Sequence, residues 1–322
     1  MRVLVTGASG LLGREVAGLL VRQGHAVTTF QRRPSGVEGV TDVRGSLADD
    51  SAVRRAVSGA EGVIHLAAKV SFTGRPAEFD EVNVEGTRRL LRAARDAGVR
   101  DLVFVSSPSV ANSGAAIVGL GAGPADPARA HGDYSRTKAA AELLALAADG
   151  PGFRVAAVRP HIVWGPGDTQ LVERVLDRAG RGRLPLLDAG AALIDTTYVD
   201  NAAAAIAAAL HRMEHVHGRA VVVSNGEPRP VGELLAGICA AGGVRPPSWS
   251  VPGRLARGAG WVVEKAWTRL GRQDEPPMTR FLAEQLSAAH WFDQRETRRL
   301  LDWTPAVSLD EGLARLAGHY GA

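Results

Sequence analysis

The stretch RVLVTGASGLLGREVAGLLVRQG, residues 2–24, decides the fold. Val3, Leu4 and Val5 form an uninterrupted apolar run of strand length. Glycines follow at positions 7, 10 and 13, and from Leu11 the apolar residues recur at helical spacing until Gly24, a helix stop. A strand therefore runs through a glycine turn into a helix. A phosphate at such a turn meets free backbone N–H groups and the positive end of the helix dipole. Gly7 permits the tight turn, Gly10 lets the backbone approach a pyrophosphate, and Gly13 lets helix and strand pack closely. The spacing is G-x-x-G-x-x-G rather than G-x-G-x-x-G. Ser9, Leu11 and Leu12 complete the predicted dinucleotide turn.

The same alternation continues through the first 225 residues. Strand candidates are 26–32, 39–45, 62–68, 101–107, 154–160 and 220–226, separated by amphipathic segments such as GTRRLLRAARDAG. Val/Leu/Ile runs alternating with helices predict an α/β fold with a doubly wound parallel sheet, whose ligands bind beyond the carboxyl ends of the strands. From about residue 164 Gly/Pro-rich loops appear, and the last hundred residues read as helices. The expected division is a Rossmann domain, 1–163 plus about 195–224, and a smaller, mostly helical substrate lobe, about 164–194 and 225–322.

Composition narrows the classes. The net charge is +4, and the basic residues are spread without a dense run, so a nucleic-acid partner has no support. A single cysteine, Cys239, fits a reducing cytoplasmic setting. No signal peptide is legible at the N-terminus, and no apolar run approaches the length of a membrane span. The scattered His65, His161 and His290 lack metal-ligand spacing, so no metal is expected.

The second strand ends Phe30-Gln31-Arg32-Arg33, where an NAD enzyme would carry an acid for the ribose 2′-OH. Two guanidiniums suit a 2′-phosphate instead, so the expected cofactor is NADP(H). The chemistry lies in GDYSRTKAAAE, residues 132–142. The chain has only three Tyr and three Lys, yet Tyr134 and Lys138 stand one helical turn apart and share a face. An ammonium beside a phenol is expected to lower its pKa from about 10 toward neutrality. Ser107 and Ser109, at the end of the fifth strand, are candidates to hold a substrate oxygen, with Ser106 turned the other way.

Together, TGASGLLG, HLAA (65–68), NVEGT (83–87), VSSPSV, YSRTK and RPHIVWGPGD (159–168) resemble the extended short-chain dehydrogenase/reductases. WGPGD, IDTTYVDNA, SNGEP and MTRFLAEQLSAAHWF resemble the 3β-hydroxysteroid dehydrogenase-like branch, and more narrowly the bacterial 2-alkyl-3-oxoalkanoate reductases of olefin and β-lactone pathways. The resemblance implies Ser107, Tyr134 and Lys138 as the catalytic set. It places Leu66, Ala67, Ala68 and Lys69 along the cofactor, and Pro160, Ile162 and Val163 at the nicotinamide carboxamide. Ser46, followed by Leu47, stands where the family usually has an Asp facing the adenine.

The implied activity is NADPH-dependent reduction of a β-keto acid or similar lipid-like ketone. A steroid-type 3β-hydroxy dehydrogenase and a sugar-nucleotide epimerase/dehydratase are the alternatives, with a non-enzymatic NADPH sensor behind them. The expected substrate wall comprises Val70, Phe72, Ser109, His161, Trp164, Leu187 and Tyr198, apolar enough for an acyl chain. Residues 252–272 mix Leu, Val and Trp with Arg. They read as a lid over the substrate cleft or as a contact for a membrane or pathway enzyme. A homodimer is compatible with the sequence.

Overall fold

The computed structural model describes residues 1–71, 74–111, 114–269 and 280–321. Seven strands form the central sheet: β1 (Arg2–Thr6), β2 (Ala26–Gln31), β3 (Val40–Arg44), β4 (Gly62–His65), β5 (Asp101–Val105), β6 (Arg154–Pro160) and β7 (Ala220–Val223). Their spatial order is β7-β6-β5-β4-β1-β2-β3, and every neighbouring pair is parallel. The chain lays down β2 and β3 on one side of β1, then crosses back and places β4 on the other. The strand order reverses between β1 and β4, and an open α/β sheet binds its ligands beyond the carboxyl ends at such a point.

Strand alternation builds two cores from one sheet. Val3, Val5, Val103 and Val105 face one layer, where they meet Val16, Ala17 and Leu20 of the first helix (Leu11–Arg22) and Ile206 of helix Val199–His211. Leu4, Leu102 and Phe104 face the other, against Leu90 of helix Gly86–Asp96 and Ala141 of helix Gly132–Ala147. Edge strand β3 is largely exposed, unlike the fully covered inner strands.

A second, four-stranded sheet runs in the order Arg229–Pro230, Leu193–Ile194, His290–Phe292, Ile117–Leu120. Ile117–Leu120 comes from the connection between β5 and β6, so chain from the sheet half contributes an edge to this smaller assembly. Beside it a third core gathers Trp164, Val172, Leu234, Ile238, Val307 and Leu316. Among the described residues no helix is long and apolar enough to cross a membrane.

Candidate active site

The glycine turn separates what packing requires from what it leaves free. Gly7 adopts φ 80°, and a Cβ there would stand 2.8 Å from the Ala67 nitrogen at the end of β4. A Cβ on Gly13 would stand 2.3 Å from the Gly7 carbonyl oxygen. Both positions exclude any larger residue. Gly10 differs: it is exposed, its φ is −88°, and a Cβ would meet nothing nearer than 3.6 Å. The fold leaves room above Gly10. No side chain caps the first helix and its first turn holds no acid, so the Leu11, Leu12 and Gly13 N–H groups are left without an intrahelical partner. This open donor cradle at a positive helix end fits a dinucleotide pyrophosphate. Ser9 lies half-buried within the turn.

At the end of β2, Arg32 and Arg33 are exposed and paired with no described carboxylate. The acid across the ladder, Asp42 on β3, is already engaged: it accepts from Thr29 Oγ1, from Gln31 Nε2 at 2.9 Å and from the Ser35 N–H at 3.1 Å. Ser46 is exposed and accepts the Ala48 N–H at 3.2 Å, while Leu47 is buried.

At the end of β4, Leu66, Ala67 and Ala68 lie half-buried beside the glycine turn. Ala67 N–H donates to Thr6 Oγ1 at 3.1 Å. Asn83, in a π-helical turn (Asp80–Glu85), accepts the Lys69 N–H at 2.7 Å. Its amide donates to the Lys69 carbonyl at 3.2 Å and to Thr137 Oγ1, on the Tyr134 helix, at 3.0 Å. One buried side chain thus ties the strand end to helix Gly132–Ala147. Lys69 turns its ammonium onto Glu78. Beneath lies buried His65, between Thr6 Oγ1 at 2.7 Å and Thr87 Oγ1 at 3.0 Å. Burial, aided by the charge of nearby Lys138, pushes the His65 imidazole down to about 3 and keeps it neutral.

Helix Gly132–Ala147 carries Tyr134 and Lys138. Lys138 is buried; its ammonium donates to the Val105 carbonyl at 2.6 Å and lies 4.1 Å from the centre of the Phe104 ring. Burial lowers its pKa to about 7, against the raising effect of Glu142 one turn further on. That carboxylate is itself forked by the buried Arg159 of β6, at 2.9 and 2.5 Å. Arg159 also donates to the carbonyls of Ala122 and Gly123. Tyr134 is half-buried, with the Ser107 hydroxyl near its phenol. Burial raises the phenol to about 12, with the Ser107 bond opposing. The expected lowering by Lys138 is therefore corrected: burial raises the phenol, Lys138 is not among the groups that shift it, and the ammonium is anchored on the Val105 carbonyl. Ser107 Oγ lies 3.0 Å from Ser109 Oγ and accepts the Ser109 N–H at 3.3 Å, whereas Ser106 Oγ is buried and turned away, with no partner among the described residues.

At the end of β6 the chain turns sharply. Pro160 is buried, and Ile162 adopts φ 42°, a strained value for a β-branched residue. Val163 starts a short strand pairing with Thr197–Tyr198. His161 is buried, its Nδ1 2.6 Å from the Asp195 carbonyl, and burial lowers its pKa to about 4. Of the other predicted wall residues, Val70 is exposed and Ser109 lies beside Ser107. Trp164, Leu187 and Tyr198 are interior, with Trp164 and Tyr198 edge-to-face at 5.4 Å. Phe72 lies outside the described residues.

Sequence reasoning missed three contributors. Asn83 was visible only as part of a motif. The Glu142–Arg159 pair carried no signal, since charged letters read as surface. The Thr6–His65–Thr87 chain crosses three elements that are distant in sequence.

Residues 3–224 match the NAD dependent epimerase/dehydratase family. The chain is 40% identical over 324 residues to the 2-alkyl-3-oxoalkanoate reductase of Stenotrophomonas maltophilia (strain K279a), covering 98% of each. It is 30% identical over 337 residues to a 3-beta-hydroxysteroid dehydrogenase of Mycolicibacterium neoaurum, covering 99% of this chain and 91% of that one. Among solved structures it resembles MoeE5 in complex with UDP-glucose and NAD, with a TM-score of 0.75 at 26% identity, covering 99% of this chain and 98% of that one. The chain belongs to the NAD dependent epimerase/dehydratase family, that is, to the extended short-chain dehydrogenase/reductases.

Proposed function

Starting from that membership, we propose that the protein reduces the ketone of a 2-alkyl-3-oxoalkanoate or a similar lipid-like β-keto acid, using NADPH. It is an oxidoreductase acting on the CH–OH/C=O pair, and its cofactor is a nicotinamide dinucleotide. The observation that carries the reading is Tyr134 one helical turn from buried Lys138, whose ammonium donates to the Val105 carbonyl, with Ser107 near the phenol. The substrate class is supported by the 40% identity to a 2-alkyl-3-oxoalkanoate reductase.

The cradle of Gly7, Ser9, Gly10, Leu11, Leu12 and Gly13 would hold the pyrophosphate. Arg32 and Arg33 would bind the 2′-phosphate, the residues from Leu66 to Lys69 would line one side, and Pro160, Ile162 and Val163 would meet the nicotinamide. When bound, NADPH supplies the hydride. Tyr134 donates its proton to the oxygen of the reducing carbonyl, giving a secondary alcohol, and regains a proton from solvent. A phenol raised to about 12 is protonated at neutral pH and so holds the proton it would donate. Ser107 holds the oxygen, and Ser109 holds Ser107. The Lys138 charge, one turn below, stabilises the phenolate left behind. In this reading residues 1–163 with about 195–224 serve the cofactor, and the remainder serves the substrate.

The test is NADPH oxidation against four compounds: a 2-alkyl-3-oxo acid, its thioester, a 3-ketosteroid and a UDP-sugar. Turnover is expected with the first. Turnover confined to the steroid or the sugar would reject the substrate class while sparing the chemistry.

A further inference from the structure

We propose that the outer face of helix Gly253–Arg269 is a docking surface for an anionic lipid bilayer, independent of which ketone the enzyme reduces. The helix has two unlike faces. Its inner face is small and covered: Ala256 and Gly260 are buried, Ala256 packs with Leu187 and with Ala283 of helix Arg280–Ser287, and Arg257 donates to Ser287 Oγ at 3.1 Å. The outer face carries Leu255 at 62% exposure, Trp261 at 51% and Val262 at 57%, with Trp249 at 47% just upstream. Leu255 and Val262 are two turns apart and share a face. Trp249 and Trp261 are both of the exposed tryptophans among the described residues.

Charge selects the occupant. The helix sequence holds four basic residues and one acid, and Arg254 and Lys265 are exposed on its outer side. Lys265 lies 5.6 Å from the centre of the Trp261 ring. Tryptophan with exposed Leu and Val amid Lys and Arg is the composition of a helix lying in the plane of a membrane interface, where rings sit at headgroup level and cations meet lipid phosphates. The helix has 17 residues, about 25 Å long, and is too short and too charged to cross the bilayer, so it lies on the surface.

The experiment is co-sedimentation of the full chain with vesicles of phosphatidylcholine alone and of phosphatidylcholine mixed with phosphatidylglycerol, at low and raised salt. The protein is expected to pellet with the anionic vesicles, to stay in solution with the neutral ones, and to be released by salt. Replacing both cations, Arg254→Gln with Lys265→Gln, should weaken binding roughly thirtyfold. Leu255→Glu with Val262→Glu should abolish it at an unchanged melting temperature. Protein that stays in solution with anionic vesicles, or pellets equally with both kinds, overturns the proposal. So does a dimer in sedimentation velocity that the Glu substitutions dissociate, since the face would then belong to a second copy.

Discussion

Three alanine substitutions in one turn distinguish a glycine kept for packing from one kept for a ligand. Gly13→Ala would place a methyl 2.3 Å from the Gly7 carbonyl oxygen, which is backbone and cannot rotate away. Helix and strand must separate, at the cost of about 1–3 kcal/mol typical of overpacking. For a chain of this length that lowers Tm by about 2–5 °C. Gly7→Ala combines a 2.8 Å approach to Ala67 with a positive φ, and is expected to cost at least as much. Gly10→Ala meets no atom within 3.5 Å and keeps an allowed φ, so Tm should move by about 1 °C or less. The same methyl stands where the pyrophosphate is proposed to lie, and NADPH affinity should fall at least about tenfold. The assays are thermal melting without cofactor and NADPH titration by fluorescence. A Gly10→Ala protein with unchanged NADPH affinity would refute the placement of the cofactor on this turn. A Gly13→Ala protein with unchanged Tm would refute the packing argument.

Tyr134→Phe should reduce kcat by about 10²–10⁴ while NADPH binding persists, and retention of most turnover would remove Tyr134 as the acid. Ketone reduction should decline as pH rises through about 7, because buried Lys138 loses its proton there while Tyr134, at about 12, keeps its own; a rate flat to pH 9 would count against a charged Lys138. Lys138 also opposes folding at lower pH. Its folded pKa is depressed, so the unfolded chain binds more protons between about 7 and 10.5, and stability should rise across that interval. Arg32→Ser with Arg33→Ser should cut the preference for NADPH over NADH at least about tenfold, read from the two KM values. Glu142→Gln leaves Arg159 buried and unpaired, and should cost about 3–5 kcal/mol in a denaturant melt.

The sheet was legible because its strands are written in Val, Leu and Ile and its helices end at Gly. All seven expected strands are present in the parallel sheet. Most of the expected carboxyl ends overrun the ladder, while β6 ends at Pro160 as expected: β4 stops at His65 rather than Ala68, and β5 at Val105 rather than Ser107. Apolar and small letters continue past the last ladder bond, and nothing in one strand's sequence says where its neighbour stops. Those surplus residues sit just beyond the carboxyl ends of β4 and β5. Arg159 was the opposite failure. It sits in an apolar run, RVAAVRP, only 1% of its side chain is exposed, and it forks Glu142. A buried pair is invisible until two distant elements are brought together.

Tyr134 and Lys138 show where pattern stops and environment takes over. Their spacing fixes that they share a helix face, and scarcity of both residue types suggests a shared task. Spacing is silent on solvation, which shifts the two groups in opposite senses: the phenol up to about 12, the ammonium down to about 7. Read from the sequence, the ammonium should have made the phenol a better acid. In the structure burial dominates both, and the Lys138 ammonium donates to a carbonyl of the central sheet. Glu142 and Arg159 then acquire a role in the same balance. Glu142 raises the proton affinity of Lys138, and Arg159 holds that carboxylate in place from β6. The tuning of Lys138 thus runs from its own helix into the central sheet through a buried pair of charges.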